Sequence, residues 1–264
     1  MLRFSLLVVL LVSLSACSTV PITGRSQLNL IPGSSMMSMS LQQYDQFLKE
    51  HKVSSNQEQT AAVKRVGANV QQAVERYFAS SGLSQQLSDY KWEFNLVEDK
   101  QVNAWCMPGG KVVVYTGILP VANGDAGLAV VMGHEIAHAI AEHGNERMSQ
   151  GLLAQMGGVA LSTALSTQTA VTQQLWMSVY GVGAQYGAIM PYGRMQESEA
   201  DHLGLIFMAM AGYDPNEAVT FWERMSAQKG GKAPPEFLST HPSDATRIEN
   251  IRRLIPDAMK YYRK

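Results

Sequence analysis

Cysteine is nearly absent from this sequence: Cys17 and Cys106 are the only two, too few for a disulfide framework. Charge of one sign is lacking as well. The 21 Lys and Arg stand against 22 Asp and Glu, which excludes the basic stripe with which a nucleic-acid binder neutralises phosphates. Charged residues reach only 16%, while Gly, Ala, Ser, Gln and Met are plentiful, a balance that suits a compact exported enzyme better than a disordered chain. No internal repeat is visible, so no helical-repeat partner module is encoded. Long apolar runs are missing too: across 151–188, Gln155, Gln168, Gln173 and Gln174 interrupt every stretch that could span a bilayer. That region reads as one or two packed helices, with a membrane-dipping segment as the alternative.

What is present begins with an address. Arg3 precedes an apolar stretch over 4–14 that is too short for a bilayer, the pattern of a secretory signal. It ends in Leu14-Ser15-Ala16-Cys17, which resembles the bacterial lipobox and implies lipidation of Cys17 after cleavage. Ser18, rather than Asp, follows; under the sorting rule of enteric bacteria this implies the periplasmic face of the outer membrane. The expected organisation is a signal peptide over 1–16, a lipid-anchored tether over 17–35 with Pro21, Gly24, Pro32 and Gly33, and one folded domain over 36–264.

Within that domain, 41–50 and 57–78 read as amphipathic helices, the second with Val63, Val66, Val70, Val74 and Phe78 at helical spacing. Strand-like sequence follows around Trp92 to Val97, over 102–107 and over 112–115, with the turn Pro108-Gly109-Gly110 between the last two. A single helix is expected over 127–149, and further helices over 195–211, 215–228 and 243–254. Cys106 lies in the strand-rich part and reads as structural rather than nucleophilic.

The helix over 127–149 carries His134-Glu135-Ile136-Ala137-His138. Histidines four apart project from one helical face and can bind one zinc, and the glutamate between them can take a proton from a water at the open fourth position. A catalytic zinc needs a third protein ligand. Metzincin spacing would require Gly and His where Ala141 and Gly144 stand. His143 would turn to the far side of such a helix, and Glu142 would lie about 12 Å beyond His134. Between Arg147 and Gln196 there is no Asp, Glu, His or Cys, so thermolysin spacing has no candidate. The next is Glu197, in Arg194-Met195-Gln196-Glu197-Ser198-Glu199-Ala200-Asp201. Glu197 and Asp201 share a helix face, Glu199 does not. Asp201 suits the hydrogen bond that fixes a ligand histidine's tautomer. Arg194 either braces this helix or binds an oxyanion.

The paired motifs, His134-Glu135-x-x-His138 and Arg194-x-x-Glu197-x-x-Ala200-Asp201, resemble the gluzincin zinc metallopeptidases of the CAAX prenyl protease and HtpX type, over about 92–254. Among these the sequence looks most like the bacterial outer-membrane lipoprotein members, BepA- and LoiP-like, without their repeat domain. The resemblance implies a substrate-binding strand edge at Asn103, Ala104 and Trp105, where an extended segment adds itself as a strand. It also implies that His241 is a fourth ligand or gate.

The resulting expectation is an α+β metalloprotease domain: a small sheet, the HExxH helix, a second helix bearing Glu197, and otherwise mostly helix. One Zn2+ is held by His134, His138 and Glu197, with Glu135 and Asp201 as catalytic groups. The reaction implied is endopeptidase cleavage of misfolded or misassembled envelope proteins through a zinc-bound water. The competing expectation is a zinc-stabilised, chaperone-like or latent lipoprotein that binds such proteins and cuts little. The expected partners are those unfolded substrates and, through the lipid, a membrane.

Overall fold

A computed structural model of the protein describes residues 17–228, 237, 241 and 245–263. The chain divides into two compact units, Met37–Ala141 with Glu197–Lys264, and Met1–Met36 with Glu142–Gln196. The signal expected over 1–16 lies outside the described residues.

The larger unit is built on a three-stranded sheet of β3 (Glu93–Val97), β4 (Ala104–Met107) and β5 (Lys111–Tyr115), in the order β3-β5-β4. β3 and β5 are parallel, with Glu93 opposite Lys111 and Val97 opposite Tyr115; β4 and β5 are antiparallel, with Ala104 opposite Val114. The central strand is buried along its whole length, which explains its unbroken Val112-Val113-Val114 rather than an alternating pattern.

One face of the sheet is covered by the later part of α1 (Gly33–Glu50), where Tyr44 joins Val97, Val113 and Tyr115, with Phe47, Leu48, Trp105 and Met107 packed around them. α2 (Gln57–Ser80) also packs on the sheet through Val63, Val66, Val70, Val74 and Phe78, all at most 1% exposed. Burying each such side chain contributes about 1.5–3 kcal/mol. Asn56 caps the helix by accepting a hydrogen bond from the Gln59 amide at 3.1 Å. Gly67 faces the Phe94 ring so closely that a Cβ there would sit 2.4 Å from it. The helix therefore needs a glycine at this contact.

α3 (Asp125–Ile140) packs against α2 and β4, and almost every residue from Gly127 onward is buried. It crosses α6 (Met190–Met210) at a contact of two glycines. A Cβ on Gly204 would lie 2.8 Å from the His134 amide nitrogen, and one on Gly133 would lie 2.9 Å from the Gly204 carbonyl. Two bare backbones can approach where side chains would hold the helices apart, and this draws His134 toward the acidic face of α6. α7 (Glu217–Ala227) packs on α3, and α8 (Ala245–Ala258) on α7.

The smaller unit contains β1 (Cys17–Thr19) and β2 (Ser26–Leu28), paired antiparallel with Cys17 opposite Leu28. The stretch expected as a tether thus carries a sheet. Its other elements are α4 (His143–Ala164), α5 (Ala170–Ala184) and the start of α6. Arg25 donates to both carboxylate oxygens of buried Glu146, at 2.7 and 2.8 Å, and Gln196 donates to the same carboxylate at 2.7 Å.

A single helix over 127–149 does not form. α3 ends at Ile140, Glu142 adopts a left-handed backbone with φ of 53°, and α4 starts at His143. That conformation is sterically uncommon for a residue other than glycine, and side-chain periodicity gives no warning of it. The expected α+β architecture, mostly helical with a small sheet, is the one observed.

Candidate metal centre

Helical spacing places His134 and His138 on one face of α3, and both are at most 5% exposed. Their Nε2 atoms lie 3.1 Å apart. Glu197, at the start of the portion of α6 that belongs to the larger unit, brings Oε2 to 3.4 Å from His134 Nε2 and Oε1 to 3.2 Å from His138 Nε2. His241 adds its Nδ1, 3.1 Å from His134 Nε2 and 2.9 Å from Glu197 Oε2. One donor atom from each of the four lies within 4.8 Å of the others.

These separations test whether the residues fit a metal. Four donors at about 2.0–2.1 Å from a tetrahedral zinc would stand roughly 3.3 Å from one another. Taking either oxygen of Glu197, five of the six edges run from 2.9 to 3.4 Å. Three imidazoles and a carboxylate also form the borderline donor set that zinc takes.

The surroundings favour positive charge at this point. Burial works against protonating His134, yet hydrogen bonds and fields from Asp201 and Glu197 outweigh it and push its pKa up to about 9. Burial likewise opposes a charged Glu197, but hydrogen bonds from His134, His138 and His241 hold its carboxyl well below the usual carboxylate range. The site has the electrostatics of a cation pocket.

Asp201 lies one turn beyond Glu197, with Oδ1 3.0 Å from His134 Nδ1, on the ring edge opposite the donor cluster. Glu135 is buried, and its Oε1 lies 3.4 Å from His241 Nε2. His241 thus faces the donor cluster with one ring nitrogen and Glu135 with the other.

Arg247 was not picked out by sequence reasoning. At the start of α8, 7% exposed, it donates to Asp201 through Nε at 2.9 Å and through Nη2 at 2.7 Å, and its Nη1 lies 3.2 Å from Glu197. Its guanidinium lies over the Trp222 ring, 3.7 Å from the centroid. The signal was an arginine six residues after His241 on an amphipathic helix, indistinguishable in sequence from a surface residue. Arg194 belongs to the smaller unit, and within the larger unit the guanidinium that reaches Asp201 and Glu197 is that of Arg247.

The expected substrate edge is divided by the strand's period of two. β4 is the outer strand of its sheet among the described residues. The Trp105 side chain turns into the cluster with Tyr44 and Phe47, Ala104 is buried, and the Asn103 side chain accepts from the Ala104 amide at 2.9 Å. The backbone of β4, not those side chains, is what an extended segment could meet. Burial, assisted by Glu135, raises the Cys106 thiol well above its ordinary pKa, which leaves it a poor nucleophile. Glu142 and His143 are outside the donor cluster.

A histidine pair on one buried helix, facing a glutamate on a second, defines a metallopeptidase centre of the gluzincin class. Residues 64–255 match the model described as Peptidase family M48, and the chain belongs to that family. It is similar to the mitochondrial metalloendopeptidase OMA1 of Schizosaccharomyces pombe, 36% identical over 247 residues, 90% of this chain and 66% of that protein. It resembles the human metalloendopeptidase OMA1, mitochondrial, at 31% identity over 246 residues, 91% of this chain and 46% of that one. The Beta-barrel assembly-enhancing protease of Yersinia pestis is 30% identical over 165 residues, 61% of this chain and 34% of that protein. The chain thus spans just under two thirds of the fission yeast relative and less than half of the other two.

These relatives correct the expected address. Lipid anchoring at the periplasmic face of a bacterial outer membrane is overturned by relatives that align over nine-tenths of the chain and are named mitochondrial. The expectation rested on a four-residue match and a short apolar stretch. Targeting signals of that kind are brief and degenerate, and carry far less information than a fold-length alignment.

Proposed function

We propose that the protein is a zinc-dependent endopeptidase that hydrolyses peptide bonds in misfolded or misassembled proteins, with His134, His138 and Glu197 as zinc ligands. The observation that carries this is the gathering of donor atoms from two helices at 3.1–3.4 Å from one another, with buried Glu135 next to the first of them. Bound there, zinc supplies a Lewis acid that polarises the scissile carbonyl and brings the pKa of water to about 7.

The chain's own residues do the rest. Glu135 accepts a proton from the attacking water and returns it to the leaving amine, so the bond from carbonyl carbon to nitrogen is exchanged for a carboxylic acid and a free amine. The Asp201 carboxylate, 3.0 Å from His134 Nδ1, favours the ring orientation that turns Nε2 toward the donors, and Arg247 holds Asp201. The β4 edge offers backbone pairing to an extended segment, which supports a preference for unfolded chain over native folds. The restriction to envelope proteins falls with the envelope address.

A second reading is favoured by His241. Its position at the fourth corner of the cluster, with its other nitrogen toward Glu135, supports a gate that closes the coordination until substrate displaces it. In that state the chain binds unfolded protein and cuts little.

The test is cleavage of an unfolded protein by the zinc-loaded chain beside Glu135→Gln and His241→Ala. Loss of the base is expected to lower kcat by about 10²–10⁴-fold with zinc content unchanged. Equal inactivity of the parent chain and Glu135→Gln, with substrate still bound by both, would overturn the enzyme reading. Activity raised in His241→Ala would establish the gate.

A further inference from the structure

Exposed large hydrophobic residues normally scatter over a surface, but thirteen of the sixteen among the described residues fall between Met148 and Tyr192. In the smaller unit, α4 and α5 form an antiparallel hairpin, joined by 165–169, in which the Tyr180 hydroxyl donates to the Ala154 carbonyl at 2.7 Å. Gly157 makes room for the end of the Tyr180 ring, whose hydroxyl would lie 2.3 Å from a Cβ there. The outward side is apolar: Met156, Val159, Val171, Leu175, Trp176, Val179, Val182 and Tyr186 are between 52% and 78% exposed. Leu152, Met156 and Val159 on α4, and Val171, Leu175, Val179 and Val182 on α5, recur every three or four residues, one stripe per helix. A soluble helix turns such a stripe to the core. These turn it outward.

We infer that this hairpin lies in the headgroup and upper acyl region of a lipid bilayer, a contact that does not depend on the peptidase reading. Three observations select lipid over a protein partner or a second copy. From Met148 to Gly193 there is no Asp, Glu, Lys, Arg or His, 46 residues in all, and Arg147 and Arg194 bracket the segment. A protein interface keeps a polar rim around its apolar centre, and a rim on a soluble protein normally carries charge. A bilayer interface instead excludes charge from the buried face and attracts cations at its margin. The outward stripes include Trp176 and Tyr186, the side-chain types that settle at headgroup level. Two hydroxyls on these helices are already satisfied from within: Ser178 donates to the Gln174 carbonyl at 2.8 Å and Thr163 to that of Val159 at 2.9 Å.

The contact is interfacial and not a span. Among the described residues no helix is long and apolar enough to cross a membrane, and the glutamines of the hairpin hold it near water.

The experiment uses the full chain with vesicles of phosphatidylcholine and phosphatidylglycerol, with vesicles of phosphatidylcholine alone as the second arm. Acyl-brominated lipid is expected to quench a fluorescence component that is absent from Trp176→Phe. Val171→Asp with Val179→Asp, both at exposed positions, is expected to lower vesicle partitioning about tenfold or more, because an acidic group at that depth is strongly disfavoured. A parent chain whose Trp176 component is not quenched in the vesicle-bound state overturns the inference, whether or not the double variant folds. So does concentration-dependent self-association that shields Trp176 without lipid, which would assign the face to a second copy.

Discussion

The two units of this chain place charge and apolar surface in opposite ways. In the larger one, His134, Glu135, His138, Asp201, His241 and Arg247 are all less than 9% exposed, enclosed by apolar residues. In the smaller one, the α4–α5 hairpin has no charge from Met148 to Gly193 and shows large apolar side chains to the outside. Burying ionisable groups is costly unless they are paired, and leaving apolar groups exposed forgoes the main driving force of folding. Departures of this kind mark sites where function has set the residue choice. The difference between them is local: the first departure is compensated inside the unit by mutual pairing, whereas the second calls for compensation from outside it.

The comparison breaks most readily at Arg247. Its guanidinium balances Asp201 and Glu197 in a place water scarcely reaches. Arg247→Met keeps the approximate volume over Trp222 and removes the charge, leaving two buried carboxylates with less compensation. The expected cost is about 3–5 kcal/mol in the metal-free chain, read from chemical denaturation, and smaller with zinc bound, since the ion supplies part of the missing charge. A change below about 1 kcal/mol in the metal-free chain, on the scale of an exposed ion pair, would mean that the cluster is not the enclosed site described.

The pH dependence tests the same enclosure. His134 is raised from 6.5 to about 9. A group whose folded-state pKa exceeds its unfolded value contributes stability that is fully present below the unfolded pKa and is lost as pH rises through the folded one. The metal-free chain is therefore expected to lose on the order of 3 kcal/mol between pH 6.5 and 9. Zinc must displace that proton, so its affinity rises over the same window. Denaturation midpoints at the two ends, with and without zinc, measure both effects. Metal-free stability that climbs toward pH 9 would show that His134 is not held by its carboxylates.

How much of this was legible in the sequence depended on whether the signal was local. His134, Glu135 and His138 were readable because helical spacing alone puts the two histidines on one face. Glu197 and Asp201 were readable because the long stretch before them without Asp, Glu, His or Cys left no earlier competitor. Arg247 was not, because its meaning comes from a contact between α8 and α6 that no periodicity encodes. The same holds for the Gly133–Gly204 crossing, where each glycine looks alone like an ordinary helix interruption. The break at Glu142 was missed since a left-handed residue leaves no mark in an apolar pattern. The strands at 17–19 and 26–28 were hidden by a composition of Pro, Gly and Ser that suits a tether equally well.

The finest test sets the same substitution in both units. Leu203 on α6 is fully buried, whereas Leu175 on α5 is 61% exposed. Leu203→Ala should cost about 2–5 kcal/mol, from lost transfer energy and the cavity left behind. Leu175→Ala removes the same atoms from a surface already in water and should stay within about 0.5 kcal/mol in urea denaturation without lipid. If Leu175→Ala costs as much as Leu203→Ala, the hairpin face is covered in solution. Repeating the measurement across protein concentrations then separates a second copy from a contact within the chain, because only the former makes stability depend on concentration. An indifferent Leu175 leaves the apolar stripe with no role in folding the isolated chain, and a side-chain pattern maintained without that role is best explained by a surface it meets elsewhere.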